Sequence, residues 1–346
     1  MITLGIETSC DDTSVCLLKT NARTGELPTI MAHHSFSQET ILQQWGGVVP
    51  EIAARNHLAK ITPLLKQVFS TAKITAEDVD QIGVTTHPGL LGPLLTGVNA
   101  AKTISLIHQT PINPVNHLFA HLEAIHLTEK VSYPYLGLLF SGGHSLFCLV
   151  NSSSEMRVIA STKDDAAGEA FDKGGKMLGL DYPAGKIIDE LAKDGDLKKY
   201  SFPIGLQHSK DAKMSFSGVK TSLRNFIEKN NLEIGNKESQ MMKDVCASYQ
   251  EAIVQAIVSK TKEAINLMEQ KNSLPLVLGG GVACNSRLRH QLKENFKNVH
   301  IVHPNFCTDN GAMIANYASR TPENNYSYPE SLKLDARSRF IKRDNK

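Results

Sequence analysis

The chain has 346 residues, of which 41% are hydrophobic and 21% charged, and its formal net charge is +2. That length supports two domains, each with its own core, and that composition fits a soluble globular protein with no run of membrane-span length. The near-neutral charge excludes a globally basic nucleic-acid binder, so any nucleic acid is held by a local patch or with help from other proteins.

Residues 2–7, I-T-L-G-I-E, predict a strand. No basic segment followed by an apolar stretch of signal-peptide type precedes it, so a cytoplasmic location is expected. The turn T-S-C-D-D-T-S follows, then an apolar run at 15–18, a loop at 21–28 and a third strand at 29–36. Gly46-Gly47 opens a helix over about 49–69. A strand at 81–86 runs into the loop H-P-G-L-L-G-P, ahead of a helix at 94–108, a short strand at 112–115 and a helix at 116–126. A similar order then restarts. Strands are expected at 135–140, 146–150 and 156–161, and helices at 166–180, 187–193, 219–228 and 240–270. A strand at 276–278 ends in G-G-G, and a helix at 287–296, a strand at 299–302 and a last helix at 310–318 complete the pattern. The expectation is two α/β halves with mixed sheets covered by helices on both faces, and a ligand at the cleft where their polar turns meet.

The helix at 116–126 reads N-H-L-F-A-H-L-E-A-I-H. His117 and His121 are one turn apart on one face, flanking a stripe of Leu118, Leu122 and Ile125. Two imidazoles can share a metal ion, but a metal wants more than two ligands, and a histidine pair beside an apolar stripe is more often structural. The pair lacks the glutamate of H-E-x-x-H, because Leu118 occupies that place. Asp309, in F-C-T-D-N-G, is a helix N-cap candidate and equally an oxygen ligand; two histidines and a carboxylate would leave positions open for substrate.

Glycine turns are the second signal. Gly142-Gly143 and Gly279-Gly280-Gly281 sit at strand ends, where free backbone N–H groups can face a phosphate, and Asn285 enters the helix after the second turn. In D-D-A-A-G-E-A-F-D, Asp164 and Asp165 suit a helix N-terminus, whereas Asp172 projects one turn further and is free to accept a ribose hydroxyl or an amine. Gly185 and Asp189 repeat that theme of a glycine just before a helix with an acid one turn later. Asp11 and Asp12 are turn formers or, facing a cleft, groups that position or deprotonate a nucleophile. Lys210, Lys213, Lys220 and Arg224, interleaved with Met214 and Phe216, form either a solvated face or an RNA-facing surface. The six cysteines, Cys10, Cys16, Cys148, Cys246, Cys284 and Cys307, include no C-x-x-C pair and suit a reducing cytosol.

Ten motifs occur in one family's order: G-I-E-T-S-C-D-D-T, Q-W-G-G-V-V-P-E, H-P-G-L-L-G, N-H-L-F-A-H, F-S-G-G-H, D-D-A-A-G-E-A-F-D-K, L-D-Y-P-A-G, M-S-F-S-G-V-K-T, L-G-G-G-V-A-C-N and F-C-T-D-N-G-A-M-I-A. Over residues 2 to about 340 the chain resembles the bacterial TsaD family, the tRNA adenosine threonylcarbamoyltransferases once called O-sialoglycoprotein endopeptidases. The resemblance implies a two-lobed actin-like, sugar-kinase-like ATPase fold of duplicated RNase H-like halves. Residues 1–130, completed by 306–346, would form the first lobe and 131–305 the second. It implies threonylcarbamoyl-AMP as donor. The acceptor would be the exocyclic amine of the adenosine 3′ of the anticodon in tRNAs reading ANN codons. His117, His121 and Asp309 match the family's metal ligands for Fe(2+), or Zn(2+). Leu139, Phe140, Ser141, Gly142, Gly143, Asp172, Gly185, Asp189 and Asn285 match its substrate positions, and TsaB-like and TsaE-like partners are implied. Asp11 is the candidate for orienting the amine.

The chain departs from the family pattern in three places. Asn116 stands where the family commonly has a histidine. P-A-G-K replaces P-G-G-P at 183–186, and A-R-S-R-F at 336–340 replaces an R-P-R-W-like end. Two rival readings are a metalloprotease, which the missing glutamate opposes, and an actin-like nucleotide switch without transferase activity, which leaves a metal triad unexplained.

Overall fold

The computed structural model describes residues 1–21, 26–230, 232–268 and 274–339. Part of the loop expected at 21–28, the last two residues of the helix expected at 240–270, and Phe340 of the tail lie outside the described residues. In chain order the elements are β1 (Ile2–Glu7), β2 (Asp12–Lys19), β3 (Thr29–Ser37), α1 (Glu39–Gln43), α2 (Pro50–Ala72), β4 (Gln81–His87), α3 (Leu91–His108), β5 (Ile112–Asn116) and α4 (His117–Glu123). Then come β6 (Tyr135–Phe140), β7 (Ser145–Val150), β8 (Met156–Ser161), α5 (Ala167–Met177), α6 (Ala184–Ala192), α7 (Ser217–Asn230) and α8 (Gln240–Asn266). Last are β9 (Leu276–Gly279), α9 (Ser286–Asn295), β10 (Val299–Ile301) and α10 (Gly311–Arg320).

The chain divides into two compact units: 1–131 with 152–155 and 308–346, and 132–151 with 156–307. Each contains one five-stranded sheet, ordered β3-β2-β1-β4-β5 in the first and β10-β9-β6-β7-β8 in the second. The repetition extends to strand direction. β1 pairs antiparallel with β2 and parallel with β4, as β6 pairs antiparallel with β7 and parallel with β9.

In the first unit, the alternation of β1 decides where the chemistry goes. Leu4 and Ile6 join a core with Ile61, Leu64 and Val68 of α2 and Leu94 and Val98 of α3. Thr3, Gly5 and Glu7 therefore face the other side. There α10 lies directly on the sheet: a Cβ on Gly5 would come within 2.2 Å of the Gly311 carbonyl oxygen, and one on Gly83 within 2.6 Å of the Ala318 Cβ. Glycine at both positions lets the helix seat this closely. Glu7, two residues beyond Gly5 on the same face, is fully buried on the α10 side.

Several helix starts lie earlier than the sequence suggests. α3 begins at Leu91 rather than 94, because Pro93 is tolerated in a first turn, where its missing N–H costs nothing. α6 begins directly after Pro183, so Gly185 is its second residue and not a glycine ahead of it. Gly168 likewise lies inside α5, as its second residue. A Cβ there would sit 2.6 Å from the Ser141 carbonyl oxygen and 2.8 Å from the Gly142 Cα. The start of α5 is thus packed on the S-G-G turn, and the Gly168 N–H donates to the Ser141 carbonyl at 3.2 Å.

Candidate metal centre

Asn116 ends β5 and caps α4. Its side-chain oxygen accepts from the Leu118 N–H at 2.9 Å and the Phe119 N–H at 3.4 Å. Asparagine is among the best N-caps, and the cap fixes the first helical residue as His117. The histidine expected at this place in the family is therefore replaced by a residue that starts the helix. The helix is buried nearly all round: His117, Leu118, Ala120, His121, Leu122 and Glu123 are all buried. Both rings are buried side chains, which makes their polar nitrogens expensive unless paired.

Those nitrogens converge. His117 Nε2 and His121 Nε2 lie 3.2 Å apart, with ring centroids at 4.6 Å and planes at 81°. Asp309 Oδ1 lies 3.2 Å from His121 Nε2 and 3.4 Å from His117 Nε2. One ligand atom from each of His117, His121 and Asp309 falls within a 4.8 Å span, the single such group of three among the described residues. Asp309 does not cap α10, as its position suggests it would; Asn310 does, accepting from the Met313 N–H at 2.8 Å. The Asp309 carboxylate is left to face the histidines. His126 is buried 3.8 Å from Glu123 and takes no part.

Behind the triad stands a residue the sequence reading assigned no role. Glu7 Oε2 accepts from His117 Nδ1 at 3.0 Å and from the Thr85 hydroxyl at 2.7 Å, and Glu7 Oε1 accepts from the Ser9 N–H at 2.5 Å. The Ser9 hydroxyl also reaches His117 Nδ1, at 3.2 Å. A carboxylate on Nδ1 fixes the tautomer that presents Nε2 outward, the usual support of a metal-bound histidine. Burial pushes Glu7 up, but the charge of His117 overrides this and holds it below its ordinary value. His117 is opposed by burial, yet Asp309 and Glu7 raise it to about 9, while burial keeps His121 low. Two imidazole nitrogens and a carboxylate oxygen aimed at one point need a positive charge between them. A proton on His117 meets that need, and so does a divalent cation bound by all three, so the donor set fits a metal.

Asp11 lies in the turn from β1 into β2 and Asp12 opens β2, and the charge of Asp11 is felt at His117. The turn is clamped by His57 of α2, whose Nδ1 lies 2.8 Å from the Thr13 hydroxyl and whose Nε2 donates to the Cys10 carbonyl at 3.1 Å. Burial, then Asp11 and Asp309, raise the Asp12 carboxyl from 3.8 to about 8. The folded state thus keeps a proton on Asp12 that the unfolded chain loses, so its contribution to stability falls as pH rises from about 4 to about 8. Asp12→Asn removes that slope. The variant should match the parent near pH 4 and exceed it in urea midpoint at pH 8; equal midpoints at both pH values would show that Asp12 titrates normally.

The second unit holds the remaining candidates, and their immediate partners are helix N-termini. Asp172 accepts from the Ala184 N–H at 2.9 Å and from the Gly185 N–H, at the start of α6. Asp189 accepts from the Ser286 N–H at 3.0 Å and the Ser286 hydroxyl at 2.9 Å, at the start of α9. Asn285 caps α9 through the Leu288 N–H at 2.9 Å and donates to Gln250 at 2.6 Å. Leu139 and Phe140 end β6 as fully buried side chains, so only their backbone can meet a ligand. Ser141 closes the turn by accepting the His144 N–H at 3.2 Å. Gly142, Gly143 and Gly281 have open space where a Cβ would be, room that another molecule can use.

Two expectations change in this unit. Asp164 serves α7 rather than α5, accepting from the Phe216 and Ser217 N–H groups at 2.8 and 3.2 Å. Met214 and Phe216 are buried and Lys220 pairs with Asp165, so no aromatic RNA-facing surface forms there.

Residues 29–316 match the family model TsaD, tRNA N6-adenosine threonylcarbamoyltransferase. A protein of Anaeromyxobacter sp. (strain Fw109-5), named tRNA N6-adenosine threonylcarbamoyltransferase, is 44% identical over 318 residues, covering 90% of this chain and 92% of the relative. Among solved structures, component A of the (R)-2-hydroxyglutaryl-CoA dehydratase of Acidaminococcus fermentans is similar with a TM-score of 0.53 at 16% identity. The match covers 94% of this chain and 99% of that one. Full-length HypF, in a phosphate- and nucleotide-bound form, is similar with a TM-score of 0.57 at 15% identity, over 93% of this chain and 46% of its own. At such identities the structures establish the fold alone, and that fold is the actin-like ATPase fold.

Proposed function

The chain belongs to the TsaD family of tRNA N6-adenosine threonylcarbamoyltransferases, and from that premise we propose how its residues share the transfer. The donor is threonylcarbamoyl-AMP, and the acceptor is the exocyclic amine of the adenosine 3′ of the anticodon in tRNAs reading ANN codons. That amine is a weak nucleophile because its lone pair is delocalised into the ring. The mixed anhydride compensates with a good leaving group: the amine nitrogen bonds to the carbamoyl carbon, the carbon–oxygen bond to phosphate breaks, and AMP departs. Asp11 orients the amine and takes its proton. His117, His121 and Asp309 hold the metal, and two histidines with one carboxylate suit Fe(2+), with Zn(2+) as the alternative. Bound there, the cation supplies Lewis-acid polarisation of a carbamoyl or phosphate oxygen. Glu7 keeps His117 Nε2 directed outward. The backbone of 139–143 takes the phosphate, and Asp172, Gly185, Asp189 and Asn285 take the adenosine. TsaB-like and TsaE-like proteins act with the chain in the cytosol.

The triad backed by Glu7 is the observation that carries this reading. A nucleotide switch has no use for it. A metalloprotease needs a base beside it, and the residue in that place, Leu118, is a fully buried aliphatic. The test supplies protein and partners with threonylcarbamoyl-AMP and unmodified tRNA, then digests the tRNA and weighs its nucleosides. Threonylcarbamoyl mass on adenosine is expected. Unmodified adenosine under metal-replete conditions, with partners of verified activity, would overturn the reading.

A further inference from the structure

We propose that Cys284 and Cys307 form a site of reversible thiol oxidation, which closes to an intramolecular disulfide when the protein meets a hydroperoxide. The two residues are far apart in sequence and are brought together only by the fold of the second unit. Cys284 ends the single-turn helix Gly281–Cys284 and is exposed; Cys307 follows the turn Pro304–Phe306 and is buried. Cys284 Sγ lies 3.9 Å from the Pro304 carbonyl oxygen, which also accepts the Cys307 N–H at 3.3 Å.

One guanidinium holds both segments in register. Arg289 Nε donates to the Ala283 carbonyl at 2.5 Å, beside Cys284. A terminal nitrogen of the same side chain donates to the Val302 carbonyl at 2.9 Å and lies 3.6 Å from Cys307 Sγ. Cys307 Sγ also donates to the Val302 carbonyl, at 3.2 Å. This gives an exposed thiol for attack, a covered partner for resolution, and a fixed cation beside them, the surroundings that make cysteines reactive. Of the other four cysteines, Cys16, Cys148 and Cys246 are buried and burial raises each of them, and the half-buried Cys10 is raised by burial and by the charge of Asp11.

The chemistry balances with the peroxide as oxidant. The Cys284 thiolate bonds to one peroxide oxygen, the O–O bond breaks, and hydroxide leaves and takes a proton to become water. Cys284 is then a sulfenic acid. Cys307 sulfur attacks the Cys284 sulfur, the S–O bond breaks, and the departing hydroxide takes the Cys307 proton as a second water. Two thiols lose two electrons and the peroxide gains them. The site rests on the thiols alone and is independent of the transferase reading.

The test titrates the full-length folded protein with hydrogen peroxide, alkylates the remaining thiols, digests without reductant and weighs the peptides. The expected product is a linked Cys284–Cys307 peptide pair, two hydrogens lighter than the separate thiols and released by dithiothreitol. It should appear before any other cysteine is oxidised. In Cys307→Ser the resolving thiol is gone, so Cys284 should accumulate as a sulfenic acid that dimedone traps. A wild-type protein in which Cys284 is oxidised while Cys307 stays fully alkylatable, or in which Cys284 reacts no sooner than the buried cysteines, would overturn the proposal.

Discussion

His117→Ala should leave the purified protein without its metal and cut threonylcarbamoyl transfer by more than about a hundredfold, while Glu7→Gln should cost about 10- to 100-fold in metal affinity. The ordering follows from the geometry. Removing His117 deletes one of three ligands and leaves His121 and Asp309, whose closest atoms are 3.2 Å apart, to hold the ion alone. Glu7 touches no ligand position; it accepts from Nδ1, on the far side of the ring from Nε2. In Glu7→Gln the amide oxygen can still accept that proton, so the ring keeps its direction but loses the negative charge that makes it a better donor. Metal content by mass spectrometry and transfer measured over a range of added Fe(2+) or Zn(2+) separate the two. Glu7→Gln should recover at high metal and His117→Ala should not. Full metal content in His117→Ala would remove the triad from consideration, and wild-type metal affinity in Glu7→Gln would reduce Glu7 to a core hydrogen-bond partner.

Which parts of this site could be read from the sequence depends on the range of the interaction. The i, i+4 spacing of His117 and His121 is local, and α4 realises it as written. Asp309 lies far along the chain from His121, and what points to it in the sequence is that a metal needs a third ligand. Its competing role as a helix cap could not be resolved locally, because Asp309 and Asn310 are both capping residues and only the backbone shows that Asn310 takes the position. Glu7 was hidden in plain sight. The strand I-T-L-G-I-E alternates, and its acid shares a face with Thr3 and Gly5 rather than with Leu4 and Ile6. That parity was legible; that α10 would bury the face was not, because it depends on a helix near the other end of the chain. The helix pattern also misled at α6, where the small and charged residues A-G-K at 184–186 concealed a first turn already fixed by the proline before it. Asp172, Asp189 and Asn285 stand out in the sequence by their place beside glycine turns and by the family resemblance. Their bonds to the starts of α6 and α9 are long-range or capping contacts that spacing cannot supply.

Gly280→Ala should destabilise the protein by about 2–5 kcal/mol, the sum of a left-handed backbone and a steric conflict. Gly280 has φ +87°, and a Cβ there would lie 2.4 Å from the Phe140 carbonyl oxygen and 2.8 Å from its carbon. Neither neighbour is the end of a flexible side chain, so backbone must move. The backbone in question is the end of β6, which carries Ser141 to Gly143, and the turn that leads to Asn285. On a chain of this size the loss corresponds to a fall in melting temperature of roughly 3–7 °C. Gly142→Ala is the counterpart. Nothing lies within 4 Å of its would-be Cβ, so no packing requirement keeps that position glycine. Its melting temperature should stay close to that of the parent, while its affinity for AMP falls if phosphate approaches the turn as proposed. Thermal melts with and without AMP resolve both variants at once: a lower baseline for Gly280→Ala, and an unchanged baseline with a smaller AMP-induced rise for Gly142→Ala. A parental rise in Gly142→Ala would mean that the open space beside the turn is solvent and that the phosphate binds elsewhere.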